Sequence, residues 1–311
     1  MNCLSSDQSE EICLTVSNFE TDTRKLLYDD SVWLPSKARS ETNTKEPLIS
    51  VIMTHYNCVK YLILSISSIL SQTWKNIELI VIDDCSTEDK DEVNLILDHF
   101  SKVDWRVRVL KNTRNVGCYI SKNIGIYRAK GEYITFQDAD DFSLKTRLEK
   151  QLLYCQKHKV YICYAKFLCR TTKLLKIAEI TCFAHRNSFI NIFGCFDSSR
   201  IGADSELRYR AHMQLKYGVI DEYLYSCIDK WVEKYGIRPS SLTQCKETSI
   251  SSNLRQKYRF LYEKSAYKKY SLYQKIHFDE MKNTLPESLL YKLFPKEEDV
   301  MTVLKDYKFN T

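Results

Sequence analysis

Glycine is scarce in this sequence, with seven among 311 residues. No glycine-rich phosphate loop with a following basic residue accompanies the first strand, so a nucleotidyltransferase finds no support. No apolar run reaches the roughly 18 residues that a membrane helix needs. The opening MNCLSSDQSEEIC carries acids where a secretory leader has a basic start and an apolar centre. A cytoplasmic chain without a transmembrane segment is the expectation. None of the twelve cysteines is spaced C-x-x-C, and they follow no repeating interval, so reduced thiols are expected rather than disulfides or a zinc site. N-x-[ST] glycosylation acceptors, internal repeats and low-complexity tracts are also lacking.

What is present is ordinary for a globular chain: 44% hydrophobic and 28% charged residues, with length enough for one large domain or two joined halves. The net charge of +6 is unevenly spread. Residues 1–47 hold five Lys/Arg against nine Asp/Glu, and residues 251–311 hold twelve against eight. The middle therefore keeps the remaining +6, which suits a phosphate-rich ligand or an acidic surface. The basic residues form no groove-reading motif, so nucleic acid is not expected as a partner.

Four segments follow from the patterning. Residues 1–47 are acidic, lack sustained periodicity and read as an N-terminal extension. From Leu48 short β-rich runs alternate with helical ones: strands over LISVIMT, IELIVID, RVRVL and EYITF, and helices over NCVKYLILSISSILSQ, KDEVNLILDHF and CYISKNIGIYRAK. Strands apolar on both faces, separated by helices, predict an α/β fold, an open and mostly parallel sheet flanked by helices. Residues 48–141 form its first half. Residues 142–250 form the second, with a helix over SLKTRLEKQLLYCQKH and a strand over VYICYAKF. Residues 251–311 read as a helical tail that could grip an acceptor, a membrane surface or another subunit.

Ligands of such sheets bind beyond the carboxyl ends of the strands. Thr54 and Asp84 stand at two of those ends and could hydrogen-bond a base, on which Tyr56 could stack; each set taken singly has the composition of a plain turn. The fourth strand runs into Asp138-Ala139-Asp140-Asp141. Three carboxylates in four residues repel unless a cation or a hydrogen-bond network compensates, and Asp138 and Asp140 offer the hard oxygens that Mg²⁺ or Mn²⁺ prefers. Asn115-Val116-Gly117 opens a helix whose amides and Lys122 could face phosphate. Asp204, near the start of an amphipathic stretch, could cap a helix or remove a proton from an acceptor hydroxyl. His185, His212 and His277 read as buried or surface histidines without such a role.

SVIMTHYN, SISSILSQTWKNIELIVIDDCST, NVGCYISKNIGIYRAKGEYITFQDADD and FGCFDSSRIGADSELRYR resemble, in order, the motifs of family 2 glycosyltransferases with the GT-A fold. The resemblance spans roughly residues 48–215. It implies that Thr54, Tyr56 and Asp84 hold the nucleoside, usually uridine, that Asp138 contacts ribose or donor sugar, and that Asp140 binds the metal, Mn²⁺ or Mg²⁺. Asp204 matches the base, alone or shared with Glu206. The implied reaction is an inverting single displacement from a nucleotide-sugar donor, usually of UDP, to a glycan, protein or lipid acceptor.

Three positions depart from the pattern. Ala203 replaces the first of two adjacent acids. Cys85 stands where glycine is usual, which a turn with positive φ would strain. Lys122 replaces arginine and so keeps the charge but loses the two-pronged grip on phosphate. The first two lend support to an alternative, a catalytically silent nucleotide-sugar-binding or scaffold protein of the same fold. The run Arg238-Pro239-Ser240-Ser241-Leu242-Thr243 resembles a segment that approaches the donor diphosphate in some relatives.

Overall fold

The computed structural model describes residues 46–169, 174–193, 195–197, 199–214, 218–227 and 256. The readings of residues 1–45, of the tail from 257, of His277 and of the Arg238–Thr243 run lie outside the described residues, as does the side chain of His212.

Four strands are the core of the fold: β1 (Ile49–His55), β2 (Ile77–Asp83), β3 (Val107–Lys111) and β4 (Tyr133–Asp138). They pair in parallel in the order β3-β2-β1-β4. Every residue of β1 and of β2 is buried, which is why their sequences read as unbroken apolar runs rather than alternations. Helices α1 (Val59–Leu70), α2 (Lys90–Val103) and α3 (Cys118–Arg128) make the crossovers. Helix α1 is buried from Tyr61 through Leu70, whereas α2 buries only Val93, Ile96, Leu97 and Phe100, the one-faced stripe of a surface helix.

Helix α3 carries the residues that matter most and lies close on the sheet. A Cβ on Gly125 would collide with the Ile52 side chain and stand 2.9 Å from Ile82 Cδ1. Glycine at 125 is therefore what sets the height of α3 above β1 and β2.

The second half adds β5 (Asp141–Ser143), α4 (Arg147–His158), β6 (Ile162–Cys169), β7 (Leu174–Ile177), a 3₁₀ turn (Glu179–Thr181), β8 (Phe183–His185), α5 (Ala203–Gln214) and β9 (Gly218–Cys227). The sheet order becomes β3-β2-β1-β4-β8-β6-β9-β5, with β7 on β6. Strand β8 runs antiparallel to both β4 and β6, and β9 parallel to β6. The result is the expected mostly parallel α/β sheet with an antiparallel insertion. Strand order reverses between β1 and β4, and a crevice for ligand opens at such a reversal.

Two cores flank the sheet. One joins β1 and β2 residues to α1, α2 and α4 through Leu62, Ile66, Leu97, Phe100, Leu148 and Leu152. The other joins Ile52, Ile82 and Phe136 to Tyr119, Phe189, Phe196, Ala203 and Leu207, and so ties α3 to α5. Cys58, Cys85, Cys118, Cys155, Cys163, Cys182 and Cys195 are all free thiols. Among the described residues no helix is long and apolar enough to cross a membrane.

Candidate active site

The residues singled out from the sequence gather at the reversal between β1 and β4. Thr54, 8% exposed, is the last but one residue of β1 and lies directly beside Asp138 of β4 and Ile82 of β2. Tyr56, two residues on, is 46% exposed, an aromatic ring left open at the rim. Asn57, with φ of 47°, ties this turn to the next loop: its Oδ1 accepts from the Thr87 and Glu88 amides at 2.9 and 3.2 Å.

Below that turn, His55 Nδ1 lies 3.1 Å from Asp83 Oδ1, and Ser86 Oγ donates to the same oxygen. Burial would raise the Asp83 carboxyl, but the hydrogen bonds from His55 and Ser86 outweigh it and hold the group below its ordinary value. Cys85 adopts a φ of 62°, the left-handed conformation that glycine takes without strain.

Asp84 is 2% exposed and organises the loop after β3. Its Oδ1 accepts from Asn112 Nδ2 at 2.8 Å and Val116 N at 3.0 Å, and its Oδ2 from Gly117 N at 2.8 Å. Burial raises this carboxyl, and those donors pull it back only in part. Gly117, at φ 91°, hands the chain into α3.

One turn into α3, Lys122 is 4% exposed and its Nζ donates to Asp138 Oδ1 at 3.1 Å. Burial pulls its ammonium down, but the Asp138 and Asp204 carboxylates outweigh that and hold it above its ordinary value. Tyr119 lies three residues back on the same face, with Lys122 Nζ 5.3 Å from its ring centre. Burial lifts the Tyr119 hydroxyl well above its ordinary value, and hydrogen bonding to Asp204 lifts it further. Cys118 is pushed up to about 12, first by burial and then by Asp138, Asp204 and Asp84 around it, against Lys122. Asp138 and Asp204, 66 residues apart in the chain, thus both act electrostatically on the first turns of α3.

The acidic turn itself is firmly seated. Carboxylate oxygens of Asp138, Asp140 and Asp141 all lie within 4.8 Å of one another, a set of hard donors that fits Mg²⁺ or Mn²⁺. Behind it Arg147, fully buried, donates to Gln137 Oε1 at 3.0 Å, Ser143 Oγ at 2.7 Å and the Phe136 carbonyl at 2.8 Å, and also reaches Thr135. It thereby clasps both sides of the acidic turn that links β4 to β5. Burial lowers Arg147 to about 10. Tyr225 of β9, beneath its guanidinium at 5.4 Å, accepts from the Asp138 amide at 3.3 Å.

Helix α5 brings Asp204 in from the other side. Its Oδ1 accepts from Ser205 N at 2.8 Å. Glu206 belongs elsewhere: it grips Arg210 through two bonds of 2.9 and 2.8 Å, with both side chains at most 2% exposed. That pair commits the Glu206 carboxylate to a buried partner, whereas Asp204 acts on Tyr119 and Lys122. Ala203, 0% exposed, points into the core shared with Phe136 and Phe196. His185 caps a helical turn by accepting from Ser188 N.

Several contributors carry no sequence signal of their own. Glu179 pairs with Arg208 at 3.2 Å, and burial together with Asp204 raises its carboxyl. Arg200 NH1 donates to Asn115 Oδ1 at 2.9 Å. Tyr119 was findable, since it stands three residues from Lys122 and so shares its helix face.

The profile described as Glycosyl transferase family 2 matches residues 50–204, the span that holds Thr54, Tyr56, Asp84, Lys122, Asp138, Asp140 and Asp204. The chain belongs to this family. An uncharacterized glycosyltransferase of Haemophilus influenzae is 47% identical over 116 residues, 37% of this chain and 45% of that protein. A UDP-Glc:alpha-D-GlcNAc-diphosphoundecaprenol beta-1,3-glucosyltransferase of Escherichia coli is 36% identical over 121 residues, 39% and 46% of the two chains. The chain thus spans less than half the length of these curated relatives. The mannosyltransferase of Pyrobaculum calidifontis solved with GDP-Man and Mn²⁺ superposes with a TM-score of 0.54 at 15% identity, over 94% of this chain and 82% of that one. The fold of this family 2 member is accordingly GT-A-like.

Proposed function

We propose that this family 2 member transfers a sugar from a nucleotide diphosphate donor, a UDP-sugar, to an acceptor hydroxyl by a single inverting displacement. The observation that carries the reading is that Asp204 acts on Tyr119 and Lys122 at the first turns of α3, where Lys122 pairs with Asp138. A base and a charged donor-side pair from distant segments then bracket one point at the carboxyl edge of the sheet. The UDP-Glc donor named for the Escherichia coli relative supports the choice of nucleotide.

In this reading Tyr56 stacks on the base, while Thr54 and Asp84 hydrogen-bond the nucleoside. Asp138 orients ribose or donor sugar and is itself held by Lys122 and, through its amide, by Tyr225. Asp140, with Asp138 and Asp141 beside it, would hold Mn²⁺ or Mg²⁺. A divalent ion bound there supplies charge neutralisation to the departing diphosphate. Asp204 accepts the proton of the acceptor hydroxyl as its oxygen attacks the anomeric carbon, and the carbon–oxygen bond to the diphosphate breaks on the opposite face. Ala203 does not weaken this reading: it faces the core, and so withdraws no group from the pocket.

The direct test is release of UDP from a panel of UDP-sugars by the purified chain, with Mn²⁺ and with chelator. Metal-dependent turnover that disappears in Asp140→Asn is expected. Binding of UDP without turnover under any acceptor condition would favour the silent binding protein instead.

A further inference from the structure

Lys122 stands where an arginine would give a forked grip on phosphate, and its ammonium is buried and committed to Asp138. A second cation lies over the same helix start. Arg200 comes from the loop before α5, four residues ahead of Asp204, and crosses to the loop after β3. Its NH1 donates to Asn115 Oδ1 at 2.9 Å. A Cβ placed on Gly117 would sit 3.6 Å from both its Cγ and its NH1, so the side chain lies flat along the backbone that Asp84 organises. Asn115 in turn donates to the Asp84 carbonyl at 3.2 Å. Among the described residues Arg200 has no carboxylate partner: its one hydrogen bond is to a neutral amide, and the residue is half-buried.

A guanidinium held in place by a neutral residue keeps its charge and most of its five donors available, and planar forks match phosphate oxygens in pairs. The surroundings need such a group. Asp84, Asp138, Asp140, Asp141 and Asp204 make the rim strongly acidic, whereas a nucleoside diphosphate is an anion that must enter it. We propose that Arg200 is a donor-recognition residue, which grips the diphosphate of the nucleotide with the fork that Lys122 lacks. The assignment rests on the nucleotide-sugar reading given above.

The test compares UDP with uridine, each titrated calorimetrically into the full chain with Mn²⁺, for wild type, Arg200→Gln and Arg200→Lys. Loss of one charge-assisted contact weakens UDP about tenfold to a hundredfold in Arg200→Gln, while uridine, which has no phosphate, changes by less than about threefold on the same grounds. Arg200→Lys recovers part of the UDP affinity and serves as the readout if the glutamine variant does not fold. Equal UDP affinity in wild type and variants overturns the proposal, and so does an equal loss for UDP and uridine, which would mark a merely structural role. Failure of the wild type to bind UDP, GDP or dTDP would instead sink the nucleotide-sugar reading itself.

Discussion

Lys122 and Asp138 form an unequal pair: they lie 3.1 Å apart, yet the lysine side chain is 4% exposed and the aspartate 38%. Removing either partner therefore has different consequences. Asp138→Asn strands a buried ammonium, whereas Lys122→Met puts an apolar chain in its place and leaves a carboxylate that water can reach. Asp138→Asn is expected to cost about 1–2 kcal/mol more than Lys122→Met, after discounting for the solvent at Asp138. Urea denaturation of the two variants measures the difference, and equal losses would show that the pair is held in solvent.

Asp204→Asn keeps the shape and the Ser205 contact but cannot take a proton. Turnover should fall by about 10²–10⁴-fold, while UDP affinity stays within about twofold because no phosphate contact is removed. Steady-state kinetics beside calorimetry separate the two. Unchanged turnover would remove Asp204 as the base.

Glu206 variants should fail for another reason. Glu206→Gln or Arg210→Met breaks a pair in which both side chains are almost wholly buried, at an expected cost of about 3–5 kcal/mol. Replacing both together, by Leu and Met, should restore much of that stability. A single Glu206 variant that melts like the wild type yet is inactive would return this carboxylate to the chemistry.

Acid stability offers a further check. Asp83 is held below its ordinary value by His55 and Ser86, with burial opposing them. Between the folded and unfolded values the unfolded chain binds more protons, so stability rises with pH across that interval. The contribution is complete above the unfolded carboxylate value and drains away as pH falls through the lower folded one. Ser86→Ala lifts the folded value and narrows the interval. Denaturation curves taken between about pH 2 and pH 5 should show a shallower slope in the variant.

The parallel half of the fold was legible because its two central strands are covered on both faces: Ile49–His55 and Ile77–Asp83 are buried throughout. The second half was less so. Asp141–Ser143 is a strand only because β9 pairs with it, and three residues after an acidic turn carry no periodicity. The same pairing explains why the helix expected from Ser143 starts at Arg147: Ser143 and Leu144 bond to β9 first. The metal-fitting carboxylates and Asp204 were visible as residues, but their proximity was not, since it depends on how α5 packs against α3 through Phe196 and Leu207. Arg200 had no signal, being one arginine in a loop whose role comes from the chain it crosses. The strain foreseen at Cys85 is present in its φ of 62°.

Arg147 has a consequence for the order of events at the acidic turn. Because it fastens Thr135, Phe136 and Gln137 on one side and Ser143 on the other, the turn is shaped during folding, by a cation that the protein carries within itself. An ion arriving from solution meets oxygens already assembled and has little chain left to order. Its affinity then depends on charge and fit rather than on closing a loop, and stripping it away should leave the backbone of the turn where it was.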